Sequence, residues 1–375
     1  PKGHGLKYYE EIKKNVNIPV LGRSRMGDPY ICAEAVKNNQ VDAVVLARPS
    51  LADPYFPRKV EMGIPEKIRP CIACNMGCIG PLLEKGTTVG CAVNPRALNE
   101  LYTRPKKALN PRKIAIVGGG IAGMQAALTA TESGHVVTLY EKNQVLGGEL
   151  NAAGAHSFKS DIHDLRNWYI NELKDSNVPV KLGTKFTPDM VEKGGYDTVI
   201  LATGASPIMP EAIDGIEKAI SAVDLLENGK DVGNSVVVVG AGLVGCETAV
   251  DLAQKQKKVV LVEALDNILT SEFAPQQHKM MLKDLIEAEK IEVVTGSRLV
   301  AVNDEGAVVE PVTGGERKII KADSVVLSIG LKSNKSLVPD IYGKNVAIYE
   351  IGSARKAGNI IKSVKEAFEV TYNLD

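Results

Sequence analysis

Four cysteines, Cys71, Cys74, Cys78 and Cys91, stand in the spacing C-x2-C-x3-C-x12-C. Three thiolates within eight residues can wrap one face of a compact iron-sulfur cluster, and the fourth closes it from a later loop. Zinc is the alternative, although structural zinc sites usually use paired C-x2-C knuckles. The remaining two, Cys32 and Cys246, lie in helical patterns among apolar neighbours and read as packing residues. Neither forms the close pair near a glycine fingerprint that a disulfide reductase would need.

Two glycine fingerprints follow. Gly118-Gly119-Gly120-Ile121-Ala122-Gly123 comes directly after an apolar strand pattern and opens a helix. Gly118 permits the tight turn, Gly120 lets backbone approach a pyrophosphate at the helix N-terminus, and Gly123 lets helix and strand pack closely. Glu141, at the end of the next strand, can accept hydrogen bonds from an adenosine ribose. Gly240-Ala241-Gly242-Leu243-Val244-Gly245 repeats the pattern, and Glu263 lies 23 residues beyond its first glycine, as Glu141 does beyond Gly118. A carboxylate at Glu263 suits the 2'-hydroxyl of NADH and repels the 2'-phosphate of NADPH, and residues 264–269 offer no arginine for that phosphate.

The elements that must position these groups are legible as periodicity. Lys113–Val117, a helix over Ile121–Ser133 stopped by Gly134, and Val136–Tyr140 form one strand-helix-strand unit. Val236–Val239, Leu243–Gln256 and Val259–Val262 form a second. Residues 1–65 alternate helical and strand patterns: helices over Leu6–Asn15 and Tyr30–Asn38, strands over Ile18–Leu21 and Val41–Leu46. Two strands make no stable sheet alone, so this part is expected to end a larger parallel sheet or barrel. The chain opens on Pro1 in the middle of that pattern, and we expect missing sequence before it. Between Arg69 and Pro111 five prolines break any long element, as suits a cofactor loop and linker.

Ser24-Arg25 and Ala47-Arg48 follow the two early strands. In a (β/α)8 barrel the last two such loops often cradle a phosphate; solvated surface arginines are the alternative. The five histidines show no metal-ligand or triad grouping and read as surface or capping residues without a role.

With 45 basic and 45 acidic residues, the chain has no net field to attract nucleic acid or an acidic membrane. No apolar run is long enough to span a bilayer and no leader opens it, so a cytoplasmic protein acting on small molecules is expected.

The order of parts, strand-end arginines, then C-I-A-C-N-M-G-C with a later C-A-V-N-P, then G-G-G-I-A-G and G-A-G-L-V-G, resembles the iron-sulfur flavoenzymes of the Old Yellow Enzyme class. That family includes 2,4-dienoyl-CoA reductase, 2-enoate reductases, bile-acid NADH:flavin oxidoreductases and trimethylamine dehydrogenase. The resemblance implies an α/β chain: the end of an FMN-binding (β/α)8 barrel at 1–65, a 4Fe-4S segment and linker at 66–110, an FAD domain at 111–215 and 330–375, and an NAD(H) domain at 216–329. The two nucleotide domains would be Rossmann-like, of disulfide-reductase type. It puts Ser24, Arg25, Ala47 and Arg48 at the FMN phosphate and the four cysteines at the cluster. It adds Gly147-Gly148, Ala202-Thr203-Gly204 and Gly352-Ser353-Ala354 to the FAD site. Family members usually show G-D-A or G-D-C at the last of these, where the aspartate binds the FAD ribityl chain. Ser353 therefore departs from the pattern, and an ADP-like nucleotide is the alternative there.

By the same resemblance, NADH would pass electrons through FAD and the cluster to FMN, which would reduce the activated C=C bond of a small unsaturated substrate. The alternatives are an amine dehydrogenase running electrons outward, or an electron-transfer subunit of a larger complex. Catalytic residues would lie on the missing barrel strands, and a homo-oligomer is compatible with all three.

Overall fold

The strand Lys113–Val117 is apolar and buried from Ile114 onward, as befits a strand covered on both faces. It pairs in parallel with Val136–Tyr140 on one side and Thr198–Leu201 on the other. Val180–Lys181 and Ala347–Glu350 extend the sheet outward, giving five parallel strands. The helix Ile121–Glu132 lies on this sheet, packed between Ser160–Asp175 and the last helix, Ile360–Tyr372. Ile114, Ile116, Met124, Leu139, Leu165 and Ile200 make the buried core between them. The structure is a computed structural model and describes residues 1–271 and 274–375.

The second sheet centres on Ser235–Val239, again all parallel, in the order Glu292–Val294, Lys258–Val262, Ser235–Val239, Ser324–Leu327, Ile220–Ser221. Its period of two is read out directly by burial. Val236 and Val238 pack with Cys246, Ala249, Leu282 and Ile286 under the helices Leu243–Gln254 and Gln276–Ala288. Val237 and Val239 point the other way, onto Leu299, Val302, Ala307 and Val309. Those four belong to an antiparallel sheet of Ser297–Asn303, Gly306–Pro311 and Lys318–Lys321, a layer that the sequence reading did not resolve.

The chain leaves the first sheet through Ala205–Pro207 and returns through Leu331–Ser333, and these two segments pair antiparallel as a short ribbon.

The opening segment holds helices Leu6–Lys14 and Pro29–Lys37 and two parallel strands of two residues each, Leu21–Gly22 and Ala43–Val44. Asp28 caps the second helix by accepting from the amides of Tyr30 and Ile31, with Pro29 at its first position. Met26, Cys32, Ala35 and Val41 form a small core here, while Ile18, Leu21 and Val45 stay exposed. Among the described residues no helix is long and apolar enough to cross a membrane.

Candidate functional site

The loop from Cys71 to Cys78 folds back so that all four cysteines line one small cavity, with Arg48, Leu51 and Asn75 on its wall. Ala73 and Asn75 take left-handed backbone to make the fold-back. Gly77 passes so close to the fourth cysteine that a Cβ there would meet the backbone of Cys91 at 3.1 Å. The amide of Gly90 donates to the carbonyl of Gly77 at 2.5 Å and fixes that approach.

Burial pushes the thiols of Cys71 and Cys91 up, and that of Cys74 to about 12. Backbone amides of Ala73, Met76, and Val93 with Asn94 oppose this by hydrogen-bonding Cys71, Cys74 and Cys91 respectively. Amides aimed at sulfur are what a thiolate-ligated cluster requires to spread its charge. Among the described residues no group of three or more His, Cys, Asp and Glu side chains stands ready to hold a metal ion. The donor set, four thiols of which three are met by backbone amides, is chemically of the kind that a thiolate-ligated cluster uses.

The first fingerprint sits where the strands of the first sheet end. Gly118 has φ +114°, and a Cβ on it would lie 2.2 Å from the carbonyl oxygen of Ala202, so only glycine fits this turn. The Gly147-Gly148 pair is stitched to the fingerprint: the amide of Gly147 donates to the carbonyl of Gly119 at 2.9 Å, and Gly148 backs onto Gly120. Gly352 packs beside Ala122, one residue before Gly123. Thr203 and Gly204 follow the strand Thr198–Leu201. The predicted group Gly118, Gly120, Gly123, Glu141, Gly148, Thr203, Gly204, Gly352 and Ser353 is therefore brought together at the ends of the first sheet's strands.

Sequence reasoning missed one member, Glu149. Its carboxyl accepts from the amide of Ala205 at 3.2 Å and from the Ser353 hydroxyl at 3.3 Å. Burial pushes it above the usual carboxylate range, against those two donors. The only signal in the sequence is an acidic residue directly after a glycine pair.

Glu141 is buried and grips the fingerprint loop: it accepts from the amide of Gly119 at 2.7 Å and from that of Asn143 at 2.8 Å. Glu263 makes the same pair of bonds in the second sheet, to the amides of Ala241 at 2.7 Å and Leu265 at 2.9 Å. A carboxylate has roughly four acceptor positions, so each keeps capacity for a ribose hydroxyl. Gly240, Gly242 and Gly245 form the matching turn beside it.

The strand-end arginines hold different neighbours. Ser24 and Arg25 take positive φ, and Arg25 pairs with the buried Asp161 on the helix Ser160–Asp175. Ala47 precedes the short helix Arg48–Ala52, and Arg48 donates to Asn75 Oδ1 at 2.6 Å, at the cysteine cavity. A further set of contacts joins the two nucleotide units. His156 meets Thr248 at 3.3 Å, Ser157 donates twice to Asp251, and Lys159 pairs with Glu247 at 2.5 Å. His156 and His135 are both buried, which corrects their reading as surface or capping residues.

Two adjoining sheets with equivalent glycine turns and equivalent carboxylate clamps define a two-nucleotide oxidoreductase. The chain belongs to the pyridine nucleotide-disulphide oxidoreductase family, whose model matches residues 112–355. Membership implies FAD and NADH. The chain is 41% identical over 375 residues to the cinnamate reductase of Clostridium sporogenes, an alignment covering 100% of this chain and 56% of that protein. It is 38% identical over 374 residues to the NADH oxidase of Thermoanaerobacter brockii, covering 97% and 57%. Among solved structures, 2-naphthoyl-CoA reductase bound to 2-naphthoyl-CoA superposes with a TM-score of 0.92 at 27% identity, covering 100% of this chain and 57% of that one. These relatives bear out the resemblance to the 2-enoate reductase and Old Yellow Enzyme class. The chain spans a little over half the length of each.

Proposed function

We propose that the chain is the NADH-, FAD- and cluster-binding portion of an enzyme that reduces an activated C=C bond, in an enoate, a dienoyl-CoA thioester or a similar small molecule. In this reading Gly240, Gly242, Gly245 and Glu263 hold NADH. Gly118, Gly120, Gly123, Glu141, Gly148, Thr203, Gly204, Gly352 and Ser353 hold FAD. Cys71, Cys74, Cys78 and Cys91 ligate a 4Fe-4S cluster. Ser24, Arg25, Ala47 and Arg48 face the phosphate of FMN on a barrel that residues 1–65 help to close; the exposed Ile18, Leu21 and Val45 supply apolar surface for the neighbouring strands. The domain division is 1–65, 66–110, 111–215 with 330–375, and 216–329.

When bound, the flavins supply hydride and electron acceptance, and the cluster supplies single-electron transfer between them. The chain's own work is placement. The observation that carries the reading is that the thiol cavity has two walls from two different parts of the fold. Arg48 and Leu51 of the opening segment line it, while Cys71 and Cys91 pack on the core of the first nucleotide unit and Gly77 abuts Ile361 of the last helix. A centre held there would lie between the first fingerprint and the opening segment. All six cysteines are free, which suits the reducing cytoplasm.

Outward electron flow from an amine is the weaker reading, because Glu263 and the intact turn at Gly240–Gly245 equip the second sheet for a nicotinamide nucleotide. The test is Cys78→Ala in the full-length protein. NADH-driven reduction of cinnamate should vanish while NADH-driven dye reduction persists. Retention of both activities would overturn the route, and iron analysis of the unaltered protein should give four irons with two flavins.

A further inference from the structure

The helix Ser160–Asp175 carries the chain's one tryptophan, Trp168, in the core on which Cys71 and Cys91 pack. The Arg69 guanidinium lies over its ring, 4.5 Å from the centroid, and the Trp168 indole donates to the Lys67 carbonyl at 3.1 Å. The Arg69 amide is fixed as well, donating to Asp53 Oδ2 at 2.8 Å, two residues before Cys71. What the guanidinium lacks is an anion. Its Nε is shut off from solvent and has no hydrogen-bond partner among the described residues, and no carboxylate there pairs with it. The neighbouring acids are spent on lysines: Asp53 on Lys59 at 2.6 Å, and Glu172, one turn along from Trp168, on Lys67 at 3.3 Å. An arginine keeps its charge at any pH the protein meets, and stacking on a ring steers that charge without neutralising it. A part-buried cation with no counter-charge is costly. The cysteines show where it acts. Burial pushes the Cys91 thiol up, and the amides of Val93 and Asn94, then Arg69, oppose that.

We propose that Arg69, held by Trp168, is the counter-ion of the thiol site: its cation offsets the negative charge that a thiolate-ligated cluster carries and adds to on reduction, and so raises the reduction potential there. The inference rests on the reading of the four cysteines as iron-sulfur ligands. Net charge at the ligands is one of the quantities that set such a potential, and the apolar core under Cys71 and Cys91 screens a nearby cation far less than water does.

The test is a reductive titration of the full-length protein followed by electron paramagnetic resonance, with iron analysis and thermal melting on each variant. Arg69→Gln removes the charge and should shift the reduced-to-oxidised ratio at a set potential about tenfold toward the oxidised form, which is about 59 mV for one electron. Arg69→Lys keeps the charge and should stay within about threefold of the unaltered protein. Arg69→Gln that keeps both its iron and its potential would overturn the proposal while leaving the cluster reading intact. Equal loss of iron in Arg69→Gln and Arg69→Lys would also overturn it, since the role would then be structural, whereas iron lost in Arg69→Gln alone would support it. A starting protein that holds zinc in place of iron would overturn the cluster reading and the proposal with it.

Discussion

Glu141 and Glu263 lie 122 residues apart and do the same thing in two sheets: each holds the second residue of a glycine turn through its amide, at 2.7 Å in both cases. The acidic residue that sequence spacing marks as a ribose acceptor is thus also a clamp on the turn. Removing it should loosen the loop as well as delete a ligand contact.

For Glu263→Ala we expect the KM for NADH to rise about tenfold to a hundredfold, with a smaller change in kcat, since hydrogen bonds to a charged group are worth about 1.5–3 kcal/mol. Discrimination against NADPH should fall at the same time. Steady-state dye reduction with both nucleotides measures this, and an unchanged NADH to NADPH ratio would contradict the assignment.

Close packing at the third glycine of each turn gives a second expectation. A Cβ at Gly245 would lie 1.8 Å from the carbonyl oxygen of Gly240, and one at Gly123 would lie 1.9 Å from that of Gly118. Gly245→Ala should cost about 1–3 kcal/mol of stability, in the range of overpacked cores, and release NADH without releasing flavin. Gly123→Ala should do the converse. Urea unfolding with flavin and NADH titrations separates the two.

His156 gives a pH dependence. Burial pushes its imidazole down to about 4, with the nearby Lys159 adding to the effect. The unfolded chain takes up this proton near pH 6.5 whereas the folded chain resists, so the unfolded state binds more protons and stability falls as pH drops from about 6.5 toward 4. Above pH 6.5 the contribution is constant. His156→Gln should flatten that part of the stability profile relative to the unaltered protein, and parallel profiles would refute it.

Arg25 and Asp161 join the opening segment to the helix Ser160–Asp175 across 136 positions of sequence. Arg25→Ala leaves the buried Asp161 with Lys2, at 3.4 Å, as its remaining cation. We expect a loss of about 1–3 kcal/mol, the cost of leaving a buried acceptor short of a donor, and a smaller loss in Arg25→Ala with Asp161→Asn. A double-mutant cycle by chemical denaturation reads the coupling.

What was legible in the sequence was what repeats along it. The helices after both fingerprints start at the expected residues, Ile121 and Leu243, because a glycine turn and a period of 3.6 announce them locally. The antiparallel layer 297–321 escaped because its strands are irregular in pattern and the pairing is broken by a register shift at Leu299/Ala301. Glu149, His156 and the pairing of Arg25 with Asp161 escaped for a different reason. Each acquires its meaning from a partner 92 to 204 positions away, and no local periodicity records such a meeting.

The ribbon of Ala205–Pro207 against Leu331–Ser333 brings together the two points where the chain crosses between sheets. Everything from 208 to 330 therefore enters and leaves the first sheet at one place, with Lys159–Glu247 and the Ser157–Asp251 bonds as further ties. The first sheet completes itself with Ala347–Glu350 after that excursion. A segment exchanged at that point would have to rebuild those ties, and the bond from the Gln276 amide to Glu84 beside the cysteine loop, to leave the thiol cavity as it is.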